Sequence, residues 1–236
     1  METTTVYYKN DPTDIVVYVH ESDYVSKMIR WNHKFYEWDL LEFIDTHYHD
    51  QHTILDIGAN LGNHSLFFAK YLNYEHIYSF EPIQKNIELF QQNLEKYKNK
   101  CTLFETALGS KEDTLTLFNT SEHNSGGYSL VQQPASFKVD IIPVKTLDSY
   151  RLENVSLIKI DVENFEADVL KGGKETIMKS KPVILLENSY HYFRNIFPNP
   201  EPHKEMMEEL NYVKVHSNLC KSSMDVWISA VIKANL

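Results

Sequence analysis

The chain has 236 residues and a formal net charge of −10, with an isoelectric point near 5.5. Nucleic-acid backbones bind to basic surfaces, so this acidity argues against a nucleic-acid partner. Apolar residues make up 42% of the chain and aromatic residues 13%, which is enough for a sizeable core and excludes global disorder. We expect one large α/β domain, residues 51–236, that follows an N-terminal extension.

The two cysteines, Cys101 and Cys220, are far apart and lack metal-ligand spacing, as expected for reduced thiols in the cytoplasm. No basic segment followed by an apolar one opens the chain, so no signal peptide is predicted. No window approaches the roughly 20 apolar residues of a membrane span. We therefore expect a soluble, cytoplasmic protein, and homo-oligomers are compatible with the sequence.

Residues 1–50 are predicted to form a cap made of a hairpin and a helix. The β-branched run at 14–20 has strong strand propensity and would pair with an earlier extended segment. Residues 35–44 carry apolar side chains at helical spacing, and Trp38 is among those predicted to face inward. This helix would cover one edge or the mouth of the main sheet. Glu37 lies among its aromatics and is interpreted as a solvated helix carboxylate rather than a ligand contact.

From residue 53 onward, short apolar strands alternate with helical segments, a pattern typical of a parallel sheet. The fold class predicted is α/β, a doubly wound Rossmann-like arrangement with a seven-stranded, mostly parallel sheet. The last two strands are predicted to form an antiparallel hairpin. The predicted strands are residues 54–57, 75–80, 101–106, 157–160, 182–187, 212–216 and 225–231.

The segment 111–145 interrupts this alternation. Two extended runs, 113–118 and 137–144, flank a polar stretch at 119–136 that has the composition of a mobile loop. We expect this stretch to act as a lid over an acceptor. Residues 107–110, just before the segment, are predicted to form a turn.

Acidic residues stand at the carboxyl ends of four of the first five predicted strands. They are Asp56, Glu81, Asp161 and Glu187, and Thr106 ends the remaining strand. Ligands of open α/β sheets bind outside these strand ends. A single acid could simply cap the next helix, but four together predict a ligand site.

The first of these acids precedes a tight turn with two glycines, Asp56-Ile-Gly-Ala-Asn-Leu-Gly62, which leads into a helix. Such units bind phosphate or carboxylate groups at the helix N-terminus. A dinucleotide usually requires three glycines in the order G-x-G-x-x-G, and here only two are present. Asp56 would also repel a pyrophosphate, so an NAD-type oxidoreductase is disfavoured.

S-adenosylmethionine fits this turn better because it has no phosphate and carries an ammonium, a carboxylate and a sulfonium. Asp56 could bind the cationic end directly or through water, while the helix N-terminus faces the carboxylate. Glu81 is placed to accept hydrogen bonds from both ribose hydroxyls. The predicted cofactor-binding residues are Asp56, Gly58, Asn60, Gly62, Asn63, His64, Ser65, Glu81, Pro82, Thr106, Ala107 and Asp161.

Seven short motifs occur in one order between residues 35 and 190. They are Leu55–Ser65, Phe80–Pro82, Ala107–Gly109, Ser125–Gly127, Thr146–Asp148, Leu157–Glu163 and Pro182–Glu187. In these motifs the chain resembles class I S-adenosylmethionine-dependent methyltransferases of the FkbM family. One departure is Asn164, where the family has a glycine. Asparagine tolerates a left-handed backbone, so we expect the turn to survive.

The resemblance implies methyl transfer to an oxygen, with a sugar, as a glycan or a glycosylated metabolite, as the acceptor. Much of the rate would come from holding the reactants in line, and a base would add a smaller factor. The candidate catalytic residues are Asp161, Glu163, Glu187 and His191. Asp161 is the first candidate base, although a cofactor contact explains it almost as well. His191 lies in an aromatic segment that suits a sugar ring, whereas Glu166 is interpreted as a solvated helix residue.

A metal site is an alternative interpretation of the same acids. Asp161, Glu187 and Asn188 resemble the ligand positions of metal-dependent catechol-type O-methyltransferases, and such oxygen ligands suit Mg²⁺. Acceptor binding explains the acids equally well, so no metal ligand is assigned. A module that binds the cofactor and acts only through a partner is disfavoured by the acids that end the fourth and fifth strands.

Overall fold

The computed structural model describes residues 2–48, 52–119, 128–132, 136–188, 202–217 and 224–233. The strands are β1 (Glu2–Val6), β2 (Ile15–Val19), β3 (Thr53–Ile57), β4 (His76–Phe80), β5 (Cys101–Phe104), β6 (Ala107–Leu108), β7 (Asp113–Asn119), β8 (Tyr128–Ser129), β9 (Phe137–Lys145), β10 (Val155–Ile160), β11 (Val183–Glu187), β12 (Tyr212–His216) and β13 (Met224–Ser229). The helices are α1 (Tyr24–Asn32), α2 (Trp38–His47), α3 (Asn63–Tyr71), α4 (Gln84–Asn93), α5 (Glu166–Gly172), α6 (Lys174–Ser180), α7 (Pro202–Glu209) and α8 (Ala230–Lys233), with 3₁₀ turns at Glu95–Tyr97 and Leu147–Tyr150.

The main sheet has seven strands in the order β12-β13-β11-β10-β3-β4-β5. The five consecutive strands from β11 to the edge strand β5 run parallel, and β13 is antiparallel to both of its neighbours. All five residues of β3 are buried, as expected for a strand covered on both faces. The predicted seven-stranded sheet with a final antiparallel hairpin is therefore confirmed.

Two hydrophobic clusters lie on the two faces of this sheet. One joins β3 and α3 to the N-terminal hairpin, with Ile54, Phe67 and Val17 among its buried members. The other joins β10 to α5 and α7, with Ile158 and Leu170 among its members. Successive side chains along a strand point to opposite faces of the sheet, so neighbouring residues belong to different clusters. This is the doubly wound arrangement that the sequence predicted.

The N-terminal segment packs onto the first of these clusters. Strands β1 and β2 form the predicted antiparallel hairpin, which is tied to α4 because Asn93 accepts from the Tyr18 amide at 2.7 Å and donates to its carbonyl at 3.0 Å. The inward orientation predicted for Trp38 is wrong, since the residue is 39% exposed. The buried positions of α2, which begins at Trp38, are Leu40, Leu41 and Ile44.

A second, four-stranded sheet in the order β6-β9-β7-β8 was not predicted. The turn expected at 107–110 is wrong in part, because Ala107 and Leu108 form β6 and pair in parallel with the end of β9. The proposed lid, 119–136, contributes β8 to this sheet, and 120–127 and 133–135 lie outside the described residues. In the described part of the chain, no helix is long and apolar enough to cross a membrane.

Candidate active site

A cavity of about 230 Å³ opens at the carboxyl ends of β3, β4, β10 and β11. Its wall combines residues from the glycine turn, the strand-end acids, the N-terminal segment and the small sheet. Eleven of the predicted site residues line it. They are Gly58, Asn60, Asn63, His64, Glu81, Pro82, Thr106, Ala107, Asp161, Glu163 and Glu187.

The glycine turn forms one side of the cavity and is closely packed. Gly58 and Gly62 have φ angles of 78° and 85°, and Asn60 between them has a φ of 50°. A Cβ atom on Gly58 would lie 1.8 Å from the carbonyl oxygen of Asp161, so no side chain fits there. The two glycines are therefore required by the left-handed backbone and, at Gly58, by the close approach of the strand-end backbone.

Glu81 holds this turn to the end of β4. Its carboxylate accepts hydrogen bonds from the Asn60 amide at 2.8 Å, the Ile83 amide at 2.9 Å and the Asn86 side chain at 3.2 Å. Burial raises the pKa of Glu81 to about 7, although these three bonds act in the opposite direction. A carboxylate has about four acceptor positions, so capacity remains for a ligand.

Asp56 lies behind the turn rather than at the cavity wall. It is fully buried, accepts a hydrogen bond from the Ser65 hydroxyl at 2.6 Å, and lies 3.4 Å from the Lys159 ammonium. Gly62 and Ser65 are likewise outside the cavity lining. Asp56, Gly62 and Ser65 are predicted to contact the cofactor, but in the structure they support the turn from behind the cavity wall.

Lys159 is a central charge of the site, and the sequence interpretation missed it. Its side chain is buried, and its ammonium lies 3.0 Å from the Gly58 carbonyl oxygen, 3.4 Å from Asp56 and 3.3 Å from Asp161. Burial alone would lower the pKa of Lys159, but Asp161 and Asp56 outweigh it and raise that pKa. A lysine inside the apolar run 157–160 was the signal that could have identified it.

Three carboxylates converge opposite the turn. Asp161, Glu163 and Glu187 each offer an oxygen atom, and these atoms all lie within 4.8 Å of one another. Burial and the charge of Asp161 raise the pKa of Glu163 to about 8 and raise that of Glu187 well above its ordinary value. Burial would also raise the pKa of Asp161, but Lys159, the hydrogen bond with Glu187 and the charge of His64 together outweigh burial and lower it. Near neutral pH the negative charge therefore resides on Asp161.

The turn that carries Glu163 is held from inside the fold. Glu163 and Asn164 have φ angles of 53° and 77°, so the expectation that asparagine preserves the left-handed turn is confirmed. Glu166 accepts hydrogen bonds from the amides of Val162 and Asn164 through one oxygen, both at 3.2 Å. Its interpretation as a solvated residue is wrong, because it is buried and closes this turn.

The N-terminal segment completes the cavity wall. Tyr36 and Glu37 line it, and the Glu37 carboxylate lies 3.2 Å from the Nε2 atom of His64. The Glu37 side chain is only 10% exposed, so its interpretation as a solvated carboxylate is wrong. Sequence periodicity placed Glu37 on a helix, whereas the structure places it just before α2 with a left-handed backbone.

The remaining predicted residues divide between the wall and the surroundings. The Thr106 hydroxyl donates to the carbonyl of Pro143 at 2.9 Å, which joins the end of β5 to β9. Asn188 is outside the cavity lining and donates to Asp225 at 3.1 Å. His191 lies outside the described residues. From the proposed lid, Tyr128 and Leu130 line the cavity, a contribution the small sheet makes possible.

The family model described as "Methyltransferase FkbM domain" matches residues 56–214, from the glycine turn to β12. The chain belongs to the FkbM methyltransferase family. This match contains the strand-end acids and the turn, so the cavity described above is the active-site candidate of an FkbM methyltransferase. The family match begins after the N-terminal segment, which supplies Tyr36 and Glu37 to the cavity wall.

Two curated relatives carry names that state an acceptor or a position. The chain is 25% identical over 146 residues to the 2-O-methyltransferase NoeI of Sinorhizobium fredii, covering 54% of this chain and 60% of that protein. It is 21% identical over 190 residues to the hexuronic acid methyltransferase AglP of Haloferax volcanii, covering 80% and 74%. The chain spans only 59% and 60% of the length of the first two curated relatives it matches.

Among solved structures, the chain is similar to a methyltransferase FkbM from Methylobacillus flagellatus. The two share 17% sequence identity with a TM-score of 0.54, and the match covers 75% of this chain and 43% of the other. At this identity the likeness shows the shared fold.

Proposed function

We propose that this FkbM methyltransferase transfers a methyl group from S-adenosylmethionine to a hydroxyl group of a sugar. The observation that carries the proposal is the convergence of Asp161, Glu163 and Glu187 on a cavity that also contains the glycine turn. The two named relatives support the same chemistry, since one is a 2-O-methyltransferase and the other acts on hexuronic acid.

The charges of the cavity wall favour this donor over a nucleotide with phosphates. Among the described residues, the cavity lining has five carboxylates and one lysine, Lys159. This lysine already contacts Asp56 and Asp161. Even with Glu163 and Glu187 protonated, the remaining carboxylates outnumber this lysine, so the wall would repel a pyrophosphate and attract a cationic ligand. The carboxylates that line the cavity are Glu37, Glu81, Asp161, Glu163 and Glu187.

The residues suggest how the donor would be held. Glu81 keeps acceptor capacity for ribose hydroxyls, and Asn60 fixes its orientation through the amide hydrogen bond. The first turn of α3, with Asn63 and His64 at the cavity wall, presents a helix N-terminus to a carboxylate. When bound, S-adenosylmethionine would supply a methyl carbon already activated by its sulfonium.

Asp161 is the residue we assign as the base. Its lowered pKa keeps it ionised, so it can take the proton of the acceptor hydroxyl as the oxygen bonds to the methyl carbon and the carbon–sulfur bond breaks. Glu163 and Glu187, with raised pKa values, would carry protons and donate hydrogen bonds to other acceptor oxygens. His191, a catalytic candidate predicted from the sequence, stays part of this proposal.

Calorimetry with S-adenosylmethionine and with NAD tests the donor. We expect binding of the former alone, and a protein that binds NAD but not S-adenosylmethionine would refute the proposal. The acceptor is tested by mass spectrometry of glycans from cells that lack the gene. Loss of one methyl group from a sugar is the expected result, and an unchanged glycan profile would count against a sugar acceptor in those glycans.

A metal-assisted version of the reaction is a second candidate, favoured by the spacing of the three acids. Carboxylate oxygens are the ligands that Mg²⁺ prefers, and Asp161, Glu163 and Glu187 would supply them. Glu163 replaces Asn188 in the set suggested by the sequence, because Glu163 lies beside Asp161 and Glu187 whereas Asn188 is outside the cavity lining. Loss of methyl transfer on chelation, with recovery on adding Mg²⁺, would favour this version, and full activity in chelator would exclude it.

A further inference from the structure

Glu37 is a charged residue of the cavity wall that lies outside the family match and has no assigned role. Its backbone is left-handed, with φ 54°, immediately before α2. This conformation costs free energy for a residue with a Cβ atom, and such residues cluster at functional sites. Its carboxylate points into the protein, since the side chain is 10% exposed and lines the cavity.

The position of Glu37 is fixed by the helix that follows the glycine turn. Asn63, the first residue of α3, accepts from the Tyr36 amide at 2.9 Å and donates to the Tyr36 carbonyl at 3.1 Å. Two hydrogen bonds from one side chain therefore hold the backbone next to Glu37. Glu37 therefore keeps a fixed position relative to the glycine turn and the start of α3.

The neighbours of Glu37 define which part of the cavity it serves. Its carboxylate lies 3.2 Å from His64, and its charge contributes to raising the pKa of Lys159 after Asp161 and Asp56. Glu37 therefore lies on the same side as the Lys159–Asp161 pair. Since a carboxylate can accept about four hydrogen bonds, the contact with His64 leaves capacity for a further donor.

We propose that Glu37 binds the ammonium group at the amino-acid end of the methyl donor. This inference rests on the proposed function, because it assumes that the cavity holds S-adenosylmethionine. Of the polar groups at the amino-acid end, the ammonium suits a buried carboxylate, whereas the donor carboxylate suits Asn63 and His64 at the start of α3. The N-terminal segment would then supply part of the donor site.

Binding calorimetry with three adenosine ligands tests this assignment. The ligands are S-adenosylhomocysteine, its analogue with hydrogen in place of the amino group, and 5′-methylthioadenosine, which lacks the whole amino-acid end. The variants are Glu37→Gln and, as a control within the helix that follows it, Glu42→Gln, whose side chain does not line the cavity.

We expect Glu37→Gln to weaken binding of S-adenosylhomocysteine by about 10- to 100-fold, as for loss of a charge-assisted hydrogen bond. Binding of 5′-methylthioadenosine should be unchanged, which also shows that the variant is folded. The wild type should prefer S-adenosylhomocysteine to its deaminated analogue, and this preference should disappear in Glu37→Gln but persist in Glu42→Gln.

Three other results would overturn the inference. Equal weakening of all three ligands would assign Glu37 a structural role, and unchanged binding of all three would remove it from the donor site. A preference for the amino group that survives in Glu37→Gln would place the ammonium elsewhere. If the wild type binds none of the three ligands, the proposed function itself fails. Failure of the Glu37 assignment alone would look different, because the wild type would still bind S-adenosylhomocysteine.

Discussion

The carbonyl oxygen of Asp161 occupies the space that a side chain on Gly58 would need, at 1.8 Å from the position of its Cβ atom. The Asp161 amide also donates to the carbonyl of Ile57 at 3.1 Å, which continues the pairing of β10 with β3. The glycine turn and the candidate base are therefore parts of one rigid unit, and a change in either position is transmitted to the other.

Gly58→Ala tests this close contact. The substitution places a Cβ atom on a left-handed residue and forces it against backbone, so we expect a loss of about 2 kcal/mol or more in the free energy of unfolding. Urea unfolding measures it. The control is Gly173→Ala, where φ is −113° and the nearest atom is the end of the Leu147 side chain. Equal unfolding midpoints for Gly58→Ala and wild type would contradict the prediction.

Lys159→Met should be strongly destabilising because it leaves Asp56 and Asp161 without their buried cation. Removing one partner of a buried ion pair costs about 3–5 kcal/mol. The matched control is Lys179→Met, which breaks an exposed pair with Glu153, where less than about 1 kcal/mol is expected. Urea unfolding of both variants provides the comparison, and similar costs at the two positions would refute the buried-charge interpretation.

The raised pKa of Glu163 predicts a pH-dependent effect on stability. The folded protein holds this proton up to pH about 8, above the ordinary value of 4.5, so the stabilisation is fully present below pH 4.5 and is lost progressively as pH rises from there to about 8. Relative to wild type, Glu163→Gln should gain about 1–3 kcal/mol between roughly pH 5 and pH 9.

Urea unfolding at the two pH values measures this gain. The control is Glu153→Gln, because the contact with Lys179 lowers the pKa of Glu153, so this carboxyl is ionised in the folded and unfolded states across this range and the difference from wild type should stay constant. A constant difference between Glu163→Gln and wild type across this range would show that Glu163 titrates normally in the folded protein.

The main sheet and the acids at its edge could be predicted from sequence because both follow from local patterns. Apolar runs of strand length predict buried parallel strands, and the carboxyl ends of parallel strands meet at one edge. That geometry alone brings Glu81, Asp161 and Glu187 to the cavity. Asp56 also lies near the carboxyl end of a strand, but its side chain contacts Ser65 and Lys159 instead of the cavity. That orientation depends on contacts between elements.

Other parts of the site depend on pairings that no local pattern specifies. The small sheet requires β6 to pair with β9, more than thirty residues away in the sequence, and without it Tyr128 would not reach the cavity. A helical wheel predicts a solvated Glu37 because it assumes that the helix includes this residue. Its left-handed backbone and the hydrogen bonds between Tyr36 and Asn63 appear only in three dimensions.

Asp161→Asn should lower the rate of methyl transfer by about 10²- to 10⁴-fold, the usual contribution of a general base. Because the pKa of Asp161 is lowered, the wild-type rate should already be at its plateau at neutral pH. A rate that rises up to pH about 8 would instead identify Glu163 as the base. Asp140→Asn, on the exposed face of β9, provides the control and should leave the rate unchanged.

Asn164 follows Glu163 in the left-handed turn at the end of β10. With φ 77°, this position should accept Asn164→Gly with little change, whereas Asn164→Ala should cost about 1 kcal/mol or more. Because the neighbouring Glu163 lines the cavity, Asn164→Ala should also slow methyl transfer. Asn211, with φ 61°, has a similar backbone outside the cavity lining, so Asn211→Ala should lower stability comparably and leave the rate unchanged. Urea unfolding and initial rates of the three variants test this, and an unimpaired rate in Asn164→Ala would show that the turn does not position Glu163 for the reaction.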